Sequence, residues 1–306
     1  SKTCRNRRLT GDIRALSRGF ARTTQNFTED IVKKANAKKV LIIGVCLILL
    51  GVYTLLEPFW LQTVRLDITH PDIPEAFEGF SMVFLTDIHH GPFFSQKRVA
   101  RLVERVNKLK PDAVLLGGDN VHREDTRHIF SFYAEMSKLT AEYGVYGVMG
   151  NHDYWMSEQL SIQQMRQNNI KLLRDEGIWI EKGADRIYLG GVDDLMEGHP
   201  DIQSTIQGVS DSDFTLIVSH NPDVAESQSV NGVDWMLSGH THGGQVTFFG
   251  LWAPVVSSSY GQKYRSGLVQ KENTFVFVSN GVGTITPPVR FFARPQIVLI
   301  TLHPGK

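Results

Sequence analysis

Five short polar motifs, each following an apolar run, carry the residues of this chain that could do chemistry. They offer imidazole, carboxylate and carboxamide groups but no thiolate, since Cys4 and Cys46 lie elsewhere. This donor set suits divalent ions such as Mn, Fe or Zn, and Asp119 could bridge a pair of ions through both of its oxygens. The motifs are Asp87-Ile88-His89, Gly118-Asp119-Asn120, Gly150-Asn151-His152-Asp153, Ser219-His220-Asn221 and Gly239-His240-Thr241-His242.

Each motif has an ordinary structural explanation when it is taken alone. Asp-x-His and Gly-Asp-Asn are common in turns, and His220 could equally be a core histidine. Two features favour a metal site. In Asp87-x-His89 and His240-x-His242 an extended backbone would direct both side chains to one face. The neighbouring glycines would allow tight turns and close approach of the backbone to a bound anion. Five such motifs in this order make coincidence a poor explanation.

The elements around these motifs predict an α/β fold. Helical patterns cover 95–109 and 126–139, and the pattern becomes all strand and turn after Gly243. Because carboxyl ends of strands share one crevice in an open α/β sheet, motifs 155 positions apart can converge. The predicted strands are 61–68 at a sheet edge, 80–86, 113–116, 145–149, 186–192, 215–219, 235–238, 274–279 and 296–302.

An apolar run of 17 residues, Val40 to Leu56, contains no charged residue and predicts a transmembrane helix. Residues 1–39 carry 11 Lys and Arg against 3 Asp and Glu, whereas residues 57–306 carry 21 against 29. The positive-inside rule then predicts a cytoplasmic N-terminus and an extracytoplasmic catalytic block. The net charge of −8 on that block disfavours nucleic-acid binding. We expect no obligate protein partner.

Four segments follow from these patterns. They are a basic cytoplasmic segment at 1–39, an uncleaved membrane anchor at 40–56, a juxtamembrane segment with an edge strand at 57–79, and a catalytic domain at 80–306.

From about Phe80 to the end, the motif order resembles that of the calcineurin-like metallophosphoesterases. The segments Gly239 to Gln245, Asn280 to Gly283 and Pro288 to Arg290 are similar to the membrane-associated bacterial phosphodiesterase branch. The resemblance implies a four-layer α/β/β/α metallophosphoesterase sandwich, here with an N-terminal transmembrane helix. It also implies two divalent ions per chain, for which we favour Mn over Fe and Zn.

The resemblance further implies a role for each motif residue. Asp119 bridges the ions, and His152 acts as general acid on the leaving group while a hydroxide between the ions attacks phosphorus. One ion is then held by Asp87, His89 and His242, and the other by Asn151, His220 and His240.

One position departs from the family pattern. Many members read Gly-Asp-x-x-Asp, and the second Asp orients the acidic histidine, but here that position is His122. Either His122 itself contacts the phosphate, or Asp125 or Asp153 orients His152. His90 and Arg290 are further candidates for substrate contacts. We expect the remaining histidines to lie on the surface, namely His70, His128, His199 and His303.

The leading hypothesis is a membrane-anchored phosphodiesterase whose substrate is a phosphate ester, possibly linked to a lipid. The alternative within the same chemistry is a UDP-2,3-diacylglucosamine pyrophosphatase of lipid A synthesis, which the predicted topology disfavours because its substrate lies in the cytoplasmic leaflet. An alternative of another class is a non-catalytic interaction scaffold. Such scaffolds lose ligand residues, whereas every ligand position is present here.

Overall fold

The computed structural model describes Phe27, Lys33, Lys34 and residues 36–122 and 125–305. The chain divides into two compact units, Ser1–Tyr53 and Thr54–Lys306. Most of the basic segment predicted at 1–39 therefore lies outside the described residues.

One helix is long and apolar enough to cross a membrane, judged by its length and composition. It covers Asn36–Phe59, 24 residues with a mean hydropathy of 2.5 over its most apolar stretch, and 6% of that stretch is buried. At 1.5 Å per residue the helix is about 36 Å long, more than the roughly 30 Å of a hydrocarbon core. The helix thus extends beyond both ends of the predicted apolar run.

Two mixed six-stranded sheets form the centre of the second unit. The first contains β1 (Gln62–His70), β2 (Ser81–Leu85), β3 (Ala113–Gly117), β4 (Val145–Val148), β5 (Ile170–Leu172) and β12 (Gln296–Pro304). The second contains β6 (Glu176–Lys182), β7 (Asp185–Gly191), β8 (Thr215–Val218), β9 (Trp235–Ser238), β10 (Gly267–Lys271) and β11 (Thr274–Val278). Their strand orders are β1-β12-β2-β3-β4-β5 and β10-β11-β9-β8-β7-β6.

Helices cover the outer faces of the sheets. The three long ones are α1 (Gln96–Leu109), α2 (Arg127–Met136) and α3 (Asn151–Gln167), and the two single-turn helices are α4 (Ile202–Thr205) and α5 (Val224–Ser227). Short 3-10 turns occur at Glu57–Phe59, Glu75–Phe77, His242–Gly244 and Gly261–Tyr264.

Three apolar cores hold these layers together. Phe84, Leu237 and Ile300 belong to the buried cluster between the two sheets. A second cluster joins the first sheet to α1, α2 and α3, and a third covers the outer face of the second sheet beneath α4 and α5. The predicted α/β/β/α order is confirmed, although the fourth layer consists of single-turn helices and loops.

The chain enters the first sheet at the edge where the chemically important motifs lie. β1 is parallel to β12, and β12 is antiparallel to β2, with Thr301 opposite Ser81 and Val298 opposite Phe84. The first residues of β1 therefore lie at the end of the sheet where β2 finishes. We call residues Thr54–Trp60, which precede β1, the helix foot.

A buried carboxylate fixes the helix foot to the late loops. Glu57 is fully buried, and its carboxylate accepts the backbone N–H groups of Phe292 at 2.7 Å and Ala293 at 2.8 Å. The backbone N–H of Arg290 donates to the Thr54 carbonyl at 3.0 Å. A buried carboxylate that satisfies two amides is worth far more than an exposed one.

Substituting Glu57 with alanine should destabilise the second unit because two buried amides lose their acceptor. Each amide left unsatisfied costs about 1–3 kcal/mol. Urea unfolding of the detergent-solubilised chain measures the loss, and Glu75→Ala is the control because Glu75 is exposed. Equal unfolding midpoints for the two variants would contradict the role assigned to Glu57.

Candidate metal centre

The five motifs meet at one edge of the two sheets. Asp87 follows β2, Asp119 follows β3, and Asn151 begins α3 directly after β4. In the other sheet His220 follows β8 and His240 follows β9. β2, β3 and β4 are parallel neighbours, as are β8 and β9, so their carboxyl ends present the motifs side by side.

The extended backbone predicted for Asp87-x-His89 and His240-x-His242 is wrong. Five of the seven predicted ligand residues have positive φ in the left-handed region. This region is uncommon for residues with a Cβ and typically marks a functional turn. Each side chain is aimed by a sharp turn just beyond its strand. The five are Asp87 at 53°, His89 at 49°, Asp119 at 52°, His240 at 67° and His242 at 52°.

Glycine is required where two motif loops touch. Gly118 has a φ of 87°, and a Cβ on it would lie 2.6 Å from the backbone nitrogen of Gly150 and 2.9 Å from His220 Nδ1. A Cβ on Gly239 would collide with the Asp87 carboxylate. The structure thus requires these glycines for contact between the loops, whereas the approach of the backbone to a bound anion stays a prediction.

Asp87, His89 and His242 form the first group of donors. Their candidate ligand atoms lie within 4.8 Å of one another, and all three residues are buried. His89 Nε2 is 3.0 Å from His242 Nε2, and His242 Nε2 is 3.4 Å from Asp87 Oδ1. Burial lowers the pKa of His89 and of His242 well below the usual value, so each imidazole keeps a lone pair for a cation.

Asp119, His220 and His240 form the second group, again within 4.8 Å. His220 Nδ1 donates to the Gly117 carbonyl at 2.8 Å, which leaves Nε2 facing His240 Nδ1 at 3.2 Å. Burial, together with His220, lowers the pKa of His240 to about 3. Backbone anchoring of one ring nitrogen is how proteins orient a ligand histidine.

Asn151 lines the same cavity as Asp119 and His240. Its side chain is buried, and Oδ1 has no hydrogen-bond donor among the described residues. A buried carboxamide oxygen without a donor is costly unless a cation compensates it. The donor set therefore fits two divalent ions.

Asp119 belongs to the second group and also lies close to His89 of the first. Its Oδ2 is 3.5 Å from His89 Nε2 and 3.4 Å from His220 Nε2. Its Oδ1 accepts the backbone N–H of His152 at 2.8 Å, so one oxygen rather than both faces the two groups. Burial alone would raise the pKa of Asp119, but His220 and His89 hold it well below the usual value.

His152 and His122 lie beside the first group. The His152 ring centroid is 4.6 Å from that of His89 and 4.7 Å from the Trp155 ring. His122 lies against His152 with centroids 5.8 Å apart and planes at 25°. The chain thus places two further imidazoles next to the predicted metal ligands.

The two acidic candidates for orienting His152 have other partners. Asp153 accepts hydrogen bonds from the Gly150 backbone at 3.0 Å and from Asn120 at 3.1 Å through both its backbone and side-chain N–H groups. Asp125 forms an ion pair with Arg127 at 2.5 Å. Both carboxylates are thus engaged by these groups, and the choice between a phosphate contact by His122 and an orienting carboxylate remains a prediction.

His90 and Arg290 have contacts that favour structural roles over the predicted substrate contacts. His90 uses Nδ1 on the Phe94 carbonyl and Nε2 on the Ser131 hydroxyl, both at 2.8 Å. Arg290 is fully buried, and its guanidinium donates to the backbone carbonyls of His242, Asn280, Gly283 and Ala293. Of the histidines predicted on the surface, His199 is exposed, whereas His70, His128 and His303 are half-buried.

An acidic pair at the end of β7 was missed at the level of sequence. Asp194 is fully buried, and its Oδ2 has no hydrogen-bond partner among the described residues. Asp193 binds Arg174 at 3.0 Å and accepts from the Tyr154 hydroxyl. The signal was available, because Asp-Asp follows the predicted strand 186–192 as the other motifs follow theirs.

A cavity of about 640 Å³ opens over the two donor groups. Asp119, Asn151, His152, His240 and His242 line it. Its lining also includes apolar and hydroxyl side chains, namely Trp155, Leu195, Met196, Ile285 and Ser257 to Ser259. A second, mainly apolar cavity of about 290 Å³ shares His242, Ser257 and Ile285 with the first.

Comparison with known proteins finds relatives that match most of this chain. The uncharacterized metallophosphoesterase YkuE of Bacillus subtilis is 32% identical over 253 residues, covering 81% of this chain and 87% of that protein. A zebrafish transmembrane protein with a metallophosphoesterase domain is 28% identical, and the match covers 79% of this chain but 57% of that longer protein.

Among solved structures, the 5′-nucleotidase precursor of Thermus thermophilus matches with a TM-score of 0.46 at 14% identity, covering 66% of this chain and 49% of that one. The family model for calcineurin-like phosphoesterases matches residues 80–244, which contain all seven predicted ligands. The chain therefore belongs to the calcineurin-like phosphoesterase family.

Proposed function

We propose that this protein is a membrane-anchored phosphodiesterase that uses two divalent ions. The observation that carries the proposal is Asp119 Oδ2, which lies 3.5 Å from His89 Nε2 and 3.4 Å from His220 Nε2 at the base of an open cavity. A shared carboxylate between two donor groups is the arrangement that a two-ion hydrolase requires. An interaction scaffold would have no use for it.

Asp87, His89 and His242 would hold one ion, and Asn151, His220 and His240 the other, with Asp119 shared. Mn is favoured over Fe and Zn for this mixture of oxygen and imidazole donors. Such ions, when bound, lower the pKa of water and neutralise charge on the phosphate.

His152 would protonate the leaving oxygen. Its ring lines the cavity and packs against His89 and Trp155, while its backbone N–H donates to Asp119. A fixed imidazole beside the reacting group is the usual form of a general acid. His122, packed against His152, would position that ring.

The apolar second cavity supports a lipid-linked substrate. Val246, Pro254, Val255 and Pro287 line it, and it adjoins the metal cavity at His242. An alkyl chain placed there would leave its phosphate beside the ions. This cavity is compatible with the lipid A pyrophosphatase alternative as well. The orientation of the chain in the membrane distinguishes that alternative from the proposed phosphodiesterase.

The apolar helix Asn36–Phe59 would anchor the protein as a single-pass membrane protein with the domain outside the cytoplasm. Its length and hydropathy, and the matched zebrafish transmembrane relative, support the anchor. The excess of Lys and Arg before the helix supports the orientation.

Protease protection tests the orientation. With the full chain expressed in bacterial spheroplasts, external proteinase K should degrade the domain and spare an N-terminal tag. A cytoplasmic reporter protein controls for lysis. A domain that is cleaved only after the membrane is broken would reverse the topology and restore the pyrophosphatase alternative.

A substrate panel tests the reaction class. The metal-loaded chain should hydrolyse a bis-aryl phosphodiester at least tenfold faster than the matching aryl phosphomonoester, with a lipid pyrophosphate and a cyclic nucleotide as further members. A preference for the monoester would reject the diesterase proposal. No turnover by a chain that binds two ions would favour the scaffold.

His152→Ala should lower kcat by roughly 10²–10⁴-fold on a diester with a poor alkoxide leaving group, while the ion content stays at two per chain. The loss should shrink for a nitrophenolate, which leaves without a proton. Asp119→Ala should instead lose both ions together, and the exposed His199→Ala should change neither property. Full activity of His152→Ala on the alkyl diester would remove the general-acid assignment.

A further inference from the structure

An exposed apolar hairpin lies in a part of the chain with no charged residue. Residues 235–262 contain no Asp, Glu, Lys or Arg. Within them Phe248 is 63% exposed, Phe249 52%, Leu251 78%, Trp252 52% and Val255 73%. We call these five side chains the aromatic patch. Contiguous apolar surface of this kind marks an interaction site on a soluble domain.

The hairpin is fixed in position. Phe248 N donates to the Trp252 carbonyl at 2.6 Å, and Gly250 N donates to the Thr247 hydroxyl at 2.8 Å. Arg265 binds the Gly250 carbonyl at 2.8 Å. The apolar side chains therefore point outward because the backbone holds them there, and ordering them on contact costs little further entropy.

The patch is connected to the helix foot. The Phe249 ring is 5.0 Å from that of Phe292, and Thr247 N donates to the Phe291 carbonyl at 2.9 Å. The next backbone amides along, those of Phe292 and Ala293, are bound by Glu57 of the foot. The backbone of residues 291–293 thus links the patch to the helix foot, where the chain leaves the apolar helix.

The helix foot carries interfacial side chains of its own. Phe59 is 64% exposed and Trp60 41%. The exposed Arg294 donates to the Trp60 carbonyl at 3.1 Å, which places a cationic side chain beside Trp60. Tryptophan, phenylalanine and arginine are the residues that proteins place at the headgroup region of a bilayer.

We propose that the aromatic patch docks onto the lipid bilayer beside the anchor, as a second membrane contact of the folded unit. The proposal rests on the membrane anchor proposed above but not on catalysis. A bilayer is favoured over a protein partner because the patch is joined to the residues that continue directly into the apolar helix, and because no acidic side chain interrupts it.

Lipid quenching tests the docking. The full chain with Cys4→Ser and Cys46→Ser would carry one environment-sensitive fluorophore, at Leu251→Cys or Val255→Cys in the patch. Leu47→Cys in the apolar helix is the positive control. Ala184→Cys is the negative control, since it is exposed in the β6–β7 hairpin at the opposite end of the second sheet. The chains are reconstituted in phosphatidylcholine and phosphatidylglycerol nanodiscs with spin-labelled lipid. The label is shallow for positions 184, 251 and 255 and deep for position 47, which lies near the middle of the apolar run.

The expected result is at least twofold quenching at positions 47, 251 and 255, and none at 184. Quenching at 47 alone would overturn the docking while leaving the anchor intact, and quenching at none of the positions would overturn both. A patch probe shielded from aqueous iodide yet insensitive to the lipid label would assign the surface to a protein and reject the bilayer. These readouts need no turnover, so an inactive protein that docks separates this proposal from the catalytic one.

Discussion

The crowding of lone-pair donors around Asp119 is the constraint on which the rest of this fold depends. Buried imidazole nitrogens 3.0–3.5 Å from one another and from carboxylate oxygens contain too few protons to satisfy every close pair. Burying Asp87 and Asp119 without compensation would be expensive. Bound cations would remove that cost, and in the proposed function the same cations would make the edge reactive. Stability of the loops and chemistry of the site therefore depend on one set of contacts.

That crowding also explains the unusual backbone. Five predicted ligands have left-handed φ, at a cost of order 1–3 kcal/mol each, and the turns persist because the surrounding structure over-determines them. The two rigid sheets fix the strand ends, Gly118 lets two loops touch, and Arg290 holds four backbone carbonyls behind His242. Arg290 also bonds through its backbone to Thr54, so the network that supports His242 continues into the helix foot.

Sequence reasoning recovered what depends on residue type and order. Motif order and strand periodicity were enough for an α/β fold and for the gathering of six of the seven predicted ligands into two groups. The apolar run predicted the helix, and the family resemblance supplied the four-layer order. What failed depends on conformation. The positive φ values carry no signature in Asp-x-His, and the buried roles of His90 and Arg290 depend on distant backbone carbonyls. Helix α3 was not predicted, because its backbone leaves the helical conformation at Ser157 and its apolar residues therefore do not follow one helical period. Strand β6 was not predicted either, because this half-exposed strand has no continuous apolar run.

The helix foot and the proposed site lie at one edge of the second unit because of strand order alone. β1 pairs parallel to β12, which runs antiparallel to β2, so the chain must enter the sheet beside the carboxyl ends where the ligands gather. A single helix would restrict the height of the cavity above a membrane but leave the domain free to rotate about the helix foot. The proposed second contact through the hairpin would remove that rotation, and a lipid-linked phosphate confined to two dimensions would then meet the cavity in one orientation. Confinement of substrate and orientation of enzyme would thus follow from the same edge of the fold.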